Sequence, residues 1–192
     1  MALIYKHGTY GEFAETQAGV ATQSGTCAVY VGTAPVNLVR GYAEADVVNS
    51  PVYLKDWAAV QRTMGYSDDW KTFTLCEAFK AHFNNTAGNA GPIIVINVLD
   101  PAIHKKAQAT TTPLTFVNRR ATIVSDKIIL DTLALADKVE GTDYTIDYNY
   151  TTGEVIISDI GALAMTEPVN ATYSEVDTRA LDLSALSPIA VP

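Results

Sequence analysis

Residues 92–99, Pro92-Ile93-Ile94-Val95-Ile96-Asn97-Val98-Leu99, are an almost unbroken β-branched apolar run. Such a run reads as a buried strand, because β-branched side chains pack well on a pleated surface and a strand covered on both faces needs no polar alternation. Toward the N-terminus, residues 84–88 close a helical pattern in which Leu75, Ala78, Phe79 and Phe83 share one side. A shorter helix is expected from Trp57, capped by Asp56, with Trp57, Val60 and Met64 at helical steps and Gly65 as its stop. A polar connection precedes it. Residues 26–33, Thr26-Cys27-Ala28-Val29-Tyr30-Val31-Gly32-Thr33, give the partner strand, also expected to be covered on both faces. Strand, helices, strand at this separation is a βαβ crossover in a mainly parallel sheet, with Leu75 and Ile94 in its core.

Past residue 99 the pattern changes. Residues 101–113 are polar and threonine-rich and read as a linker. Short strand candidates follow at 114–117, 121–124 and 128–135. In residues 142–150 Tyr144, Ile146, Tyr148 and Tyr150 alternate with Thr145, Asp147 and Asn149, the signature of a half-exposed strand. Thr151-Thr152-Gly153-Glu154 turns that strand into Val155-Ile156-Ile157 as a hairpin, and residues 169–173 supply a last strand. The tyrosine row is read first as cross-strand packing and second as a binding face. The fold class is therefore α/β plus a small antiparallel β-domain of sandwich or barrel type, inserted after an α/β layer. The expected division is an extended arm over 1–24, the α/β part over 25–112, the β-domain over 113–176 and an irregular tail over 177–192.

The arm has Gly8, Gly11 and Gly19 among polar residues and too few periodic apolar side chains to fold alone. Leu3, Ile4, Tyr5, Tyr10 and Phe13 are its candidate contacts with another subunit, and Ala2-Leu3-Ile4-Tyr5 is suited to adding as a strand to an open sheet edge.

Thirteen Lys and Arg against 21 Asp and Glu give a net charge of −8 over 192 residues, which opposes nucleic-acid binding through a broad basic surface. No apolar run approaches the roughly 18 residues of a membrane span, so a soluble product made in the cytoplasm is expected. Cys27 and Cys76 are read as buried small hydrophobes. No Gly-Lys-Ser/Thr phosphate loop occurs, and the glycines at 88 and 91 precede a strand where a dinucleotide fingerprint would follow one. His7, His82 and His104 have no metal-ligand spacing, and the adjacent Asp68 and Asp69 suit a helix N-terminus better than an acid/base pair. No catalytic residues, cofactor or metal are assigned, and the chain is not read as an enzyme.

Specific strings add to this. Residues 31–38 (Val-Gly-Thr-Ala-Pro-Val-Asn-Leu), 65–70 (Gly-Tyr-Ser-Asp-Asp-Trp) with 73–78 (Phe-Thr-Leu-Cys-Glu-Ala), and 95–101 (Val-Ile-Asn-Val-Leu-Asp-Pro) with Ile103-His104-Lys105 resemble, in that order, the N-terminal half of contractile phage tail sheath proteins. The opening Lys6-His7-Gly8-Thr9-Tyr10 with Glu12, the string Asp143-Tyr144-Thr145-Ile146 and the strand at 169–173 are similar to the same family, so the resemblance covers residues 1–173. It implies a subunit that polymerises helically around an inner tail tube and contracts without nucleotide. The implied partners are other sheath subunits, the tube protein, and baseplate and tail terminator proteins, in a virion tail or tail-like particle of phage, prophage or tailocin. Sheath subunits of this family are more than twice as long, and their C-terminal half completes the α/β core. The chain is then an engineered fragment, a shortened copy or a half-subunit that needs a partner, and its strands at 26–33 and 92–99 are expected to expose apolar surface when alone. The competing reading is a small α/β enzyme or ligand-binding protein, with its site between residues 32–34 and 97–100 at the carboxyl ends of the parallel strands.

Overall fold

The computed structural model describes residues 27–86, 88–162 and 164–180, and the arm candidates Leu3, Ile4, Tyr5, Tyr10 and Phe13 lie outside the described residues, as does the tail from 181. The α/β layer consists of β1 (Ala28–Gly32), β2 (Pro51–Leu54), α1 (Trp57–Thr63), α2 (Leu75–Phe83) and β3 (Ile93–Asn97), with sheet order β1-β3-β2. β1 and β3 are parallel, in a register running from Ala28 opposite Ile93 to Gly32 opposite Asn97, so the expected crossover forms.

The helix boundaries follow from local chemistry. Asp56 accepts a hydrogen bond from the Ala59 N–H at 2.7 Å and starts α1. The chain leaves α1 through Gly65 at φ 71°, where a Cβ would stand 2.4 Å from the Pro35 carbonyl oxygen, so only glycine fits. α2 starts later than Asp68-Asp69 suggests. Its first turn is tied to the end of β1 by a reciprocal pair, Thr33 N–H to Thr74 Oγ1 at 3.1 Å and Thr74 N–H to Thr33 Oγ1 at 3.0 Å. Asp69 instead closes a separate turn by accepting from the Thr72 hydroxyl at 2.6 Å, so it caps no α-helix. Leu75, Cys76, Phe79 and Phe83 form the buried stripe of α2, and each large side chain removed from water there contributes roughly 1.5–3 kcal/mol.

Four expectations for this layer are corrected. Ile94, expected in the core, is only partly buried and lies on the face turned away from the helices. The sheet is mixed: β2, four residues starting at a proline inside the expected polar connection, joins β3 antiparallel. β1 is covered on one face only, with Val29 58% and Val31 59% exposed. Cys27 is partly exposed, its thiol 3.3 Å from the Pro92 carbonyl, whereas Cys76 is buried as expected.

The second unit holds β4 (Thr110–Leu114), β5 (Arg120–Val124), β6 (Ala134–Leu135), β7 (Tyr144–Asn149), β8 (Glu154–Asp159) and β9 (Val169–Tyr173). They pair antiparallel in two three-stranded sheets, β4-β9-β6 and β5-β8-β7. Both sheets contribute to one buried cluster that includes Leu114, Ile123, Leu135, Tyr144, Tyr148, Val155, Ile157 and Ala171. The hairpin at 151–154 and the alternation along β7 are as the sequence suggests, with Tyr144 and Tyr148 facing inward and Thr145 and Asp147 outward. The supposed linker is partly strand, since Thr110–Leu114 pairs along the whole of β9. Its threonines are β-formers whose polarity shows only that they lie at a surface. Residues 115–119 form the turn into β5 in place of a strand, and residues 128–135 are mostly irregular, with a 3₁₀ turn at Leu130–Thr132 and only Ala134–Leu135 in a sheet.

The β-unit is an excursion from the α/β layer. On the way out Lys105 bridges Val176 and on the way back Ile128 bridges Glu175, so departing and returning chain lie side by side and Val176 is buried in the first unit's core. Asn37, fully buried, donates from Nδ2 to the carbonyls of Asp126 and Ile128 at 2.9 Å each. The Tyr150 hydroxyl stands 2.9 Å from the Gln61 carbonyl and 3.2 Å from that of Leu38, and Arg40 pairs with Glu140 at 2.6 Å and Asp131 at 3.5 Å.

Candidate assembly surface

The sheet β1-β3-β2 has two unlike faces, because successive side chains on a strand point to opposite sides. Tyr30, Val52, Leu54, Ile93 and Val95 point to the side where α1 and α2 lie and belong to the first core cluster. On the other side the register sets Val29 and Tyr53 either side of Ile94, and Val31 and Pro51 either side of Ile96. Val29, Val31 and Tyr53 are about 60% exposed, and Ile94 is only partly buried. The result is an apolar patch around Ile94, with Val29, Val31 and Tyr53 open to water, although Ile96 farther along the same face is buried at 8% exposure. A parallel strand pair is ordinarily found with both faces covered, and exposed apolar patches of this kind mark contact sites. β1 and β2 each pair only with β3 among the described residues, so both outer edges of this sheet also carry unpaired backbone groups there.

The pocket required by the competing reading is filled by the chain itself. Its residues do come together, but Asn97 is fully buried, its Oδ1 accepting from the Ala34 N–H at 2.9 Å and the Leu99 N–H at 3.1 Å while its Nδ2 donates to the Leu99 carbonyl. The Thr33 hydroxyl donates to the Thr72 carbonyl at 2.7 Å, and a Cβ on Gly32 would stand 2.5 Å from Thr74 Oγ1. These groups satisfy one another and leave no room for a substrate between the strand ends.

Two of the three histidines are held within the fold, and His7 lies outside the described residues. His82 lies 2.8 Å from the Tyr30 hydroxyl and 3.1 Å from the Ala90 carbonyl, joining α2 to β1 and to the loop before β3. His104 accepts the Asp100 N–H on Nδ1 at 2.9 Å. Burial pushes the Cys76 thiol up to about 12, away from nucleophilic use. Among the described residues no group of three His, Cys, Asp or Glu side chains is placed to hold a metal ion, and no helix is long and apolar enough to cross a membrane.

Sequence reasoning missed β2, and with it Pro51 and Tyr53 on the bare face. The signal was the alternation Val52, Leu54 inward and Pro51, Tyr53 outward, too short to stand out from the surrounding polar residues.

The chain is similar to the tail sheath protein of Burkholderia phage BcepMu, with 32% identity over 154 residues, 77% of this chain. It spans 29% of the length of that curated relative. No protein-family model matches the chain, and no solved structure matches it significantly.

Proposed function

We propose that the chain is a structural subunit, or the N-terminal portion of one, of a contractile tail sheath that polymerises helically around an inner tube and contracts to drive it through a target envelope. The observation that carries this reading is the similarity to a tail sheath protein over 77% of the chain. The bare face of β1-β3-β2 supports it, because a polymer subunit must bury in its neighbours, or in the rest of its own polypeptide, the apolar surface that a free monomer would leave wet. On this reading the face is covered by the part of a sheath subunit beyond the matched region. The arm over residues 1–24 adds through Leu3, Ile4, Tyr5, Tyr10 and Phe13 to an open sheet edge of the next subunit. The role is structural and uses no cofactor. The partners are other sheath subunits, the tube protein, and the baseplate and terminator proteins at the two ends. The protein is made in the bacterial host cytoplasm and ends in a virion tail or tail-like particle.

The test is mass spectrometry of contractile particles purified from the source that encodes the chain. Its peptides are expected in the sheath fraction in amounts comparable to the tube protein, and their absence from purified particles overturns the proposal. Deleting residues 1–19 is expected to preserve circular dichroism and to abolish extended sheaths in electron micrographs. Normal sheaths from that deletion would remove the linking role from the arm.

A further inference from the structure

Between the two units a cavity of about 370 Å³ opens where the turn before α2 meets the end of β5 and the β7–β8 hairpin. Its walls carry the carboxylates of Asp68, Asp69 and Asp126 and the rings of Tyr66, Tyr148 and Tyr150. The neighbouring hydroxyl protons are already committed, each across 2.6 Å: Tyr66 donates to Asp68 Oδ1, Ser67 to Asp126 Oδ2 and Thr72 to Asp69 Oδ2. What remains open toward the cavity is acceptor capacity. None of the three carboxylates has an ion-pair partner within 4.0 Å among the described residues. The Thr72 hydrogen bonds hold Asp69 below the usual carboxylate range, with Lys127 assisting from farther away.

A second, independent observation is Tyr148. It is 7% exposed, its hydroxyl makes no hydrogen bond among the described residues, and that oxygen lies 3.8 Å from where a Cβ on Gly153 would stand, on the wall of this cavity. Burial, then the negative charge of Asp126, push its phenol up, so it stays neutral and its oxygen is free to accept. The ring is buried while the hydroxyl oxygen itself stays open to the cavity, so it adds one more acceptor to those a donor entering from outside would meet.

We propose that this cleft receives the guanidinium of an arginine presented by a second copy of the chain, which rests on the sheath reading above. Asp68, Asp69 and Asp126 are not placed together so as to hold a metal ion. A guanidinium is planar, carries five donors that can reach several walls at once, and stacks on tyrosine faces. Arg62, Arg120 and Arg179 make no ion pair among the described residues, so a second copy has arginines to offer.

The experiment is a titration of the ¹⁵N-labelled 192-residue chain with the peptide acetyl-Gly-Arg-Gly-amide, against the same peptide carrying neutral citrulline. The arginine peptide is expected to shift the amide signals of Ser125, Asp126 and Gly153 in a saturable way, with citrulline at least roughly tenfold weaker, the scale of one charge-assisted hydrogen bond. Tyr148→Phe and Asp126→Asn should each weaken binding by roughly the same factor. Tyr148→Phe should keep or raise the melting temperature, because it removes a hydroxyl that bonds to nothing. Equal responses to both peptides, no response, or unchanged binding by Tyr148→Phe overturns the proposal, as does Mg²⁺ alone producing the same shifts. A chain that ignores arginine but is found in sheath particles fails this inference alone. A chain that binds arginine but is absent from particles leaves the cleft's ligand standing and fails the sheath reading.

Discussion

The two units solve the same problem differently. In the β-unit the inward side chains of both sheets meet in one cluster, and Ala121, Ile123, Val155 and Ile157 end at or below 9% exposure. In the α/β layer the helices cover one face of a three-stranded sheet and leave the other bare, with Val29, Val31 and Tyr53 near 60% exposure. Alternating strands with one polar face can stop at a single layer, whereas strands apolar on both sides call for a second cover. The inward faces of the β-unit close on each other while single side chains such as Val117, Val124 and Val139 stay exposed around them, whereas the α/β layer leaves neighbouring apolar side chains of one sheet face uncovered.

Core truncation should give the largest effects and strike both units alike. Phe79→Ala beneath the sheet and Ile157→Ala in the β-cluster, both at fully buried positions, should cost about 3–5 and 2–5 kcal/mol in urea unfolding. A cost below about 1 kcal/mol at either site would remove that unit's independent core. Next comes the seam. Asn37→Ala leaves the Asp126 and Ile128 carbonyls without their donor and should cost about 2–3 kcal/mol. It should also split a single unfolding transition into two if the seam is what couples the units.

Alkaline pH should produce a smaller, graded loss. Burial raises the Cys76 thiol from 9.0 and the Tyr150 phenol from 10.0, each to about 12. The folded state resists ionising groups that the unfolded chain ionises freely, so their contribution is complete below about pH 9 and falls away as pH rises toward 12. Urea midpoints should decline over that window and less steeply in Cys76→Ala. A midpoint flat from pH 9 to 11 would contradict the buried placement.

The smallest effect should be at the bare face, which makes it the sharpest contrast. Val29→Lys with Val31→Lys should change the stability of the free chain by only about 0.5 kcal/mol, since both positions are already in water, and yet prevent assembly. A loss of more than about 2 kcal/mol in the free chain would mean that something covers this face.

The crossover, both helices, the Asp56 cap, the Gly65 stop and the β7–β8 hairpin were legible because each rests on a local rule of period or turn chemistry. Residues 28–32 were placed correctly as a strand, but their two faces look alike in sequence, so no periodicity could show that one would stay uncovered. β4 was hidden by its threonines, and β2 by its length of four residues. Asp68 and Asp69 were read as helix caps because adjacency to a helix is visible in sequence, while their convergence with Asp126 and Tyr148 is created only by the return of a chain more than 50 residues on. Of the apolar surface anticipated at 26–33 and 92–99, that of the first strand is present at Val29 and Val31 and extended by Tyr53, whereas in 92–99 Ile93, Val95, Ile96, Val98 and Leu99 are buried and Ile94 is partly so.

Hydroxyl-radical footprinting of Tyr53, compared between the free chain and purified sheath particles, tests the central claim most directly. At 62% exposure Tyr53 should be heavily oxidised in the free chain and strongly protected in the particle. Equal oxidation in the two samples would contradict the account, because the bare face would then be wet in the assembly as well.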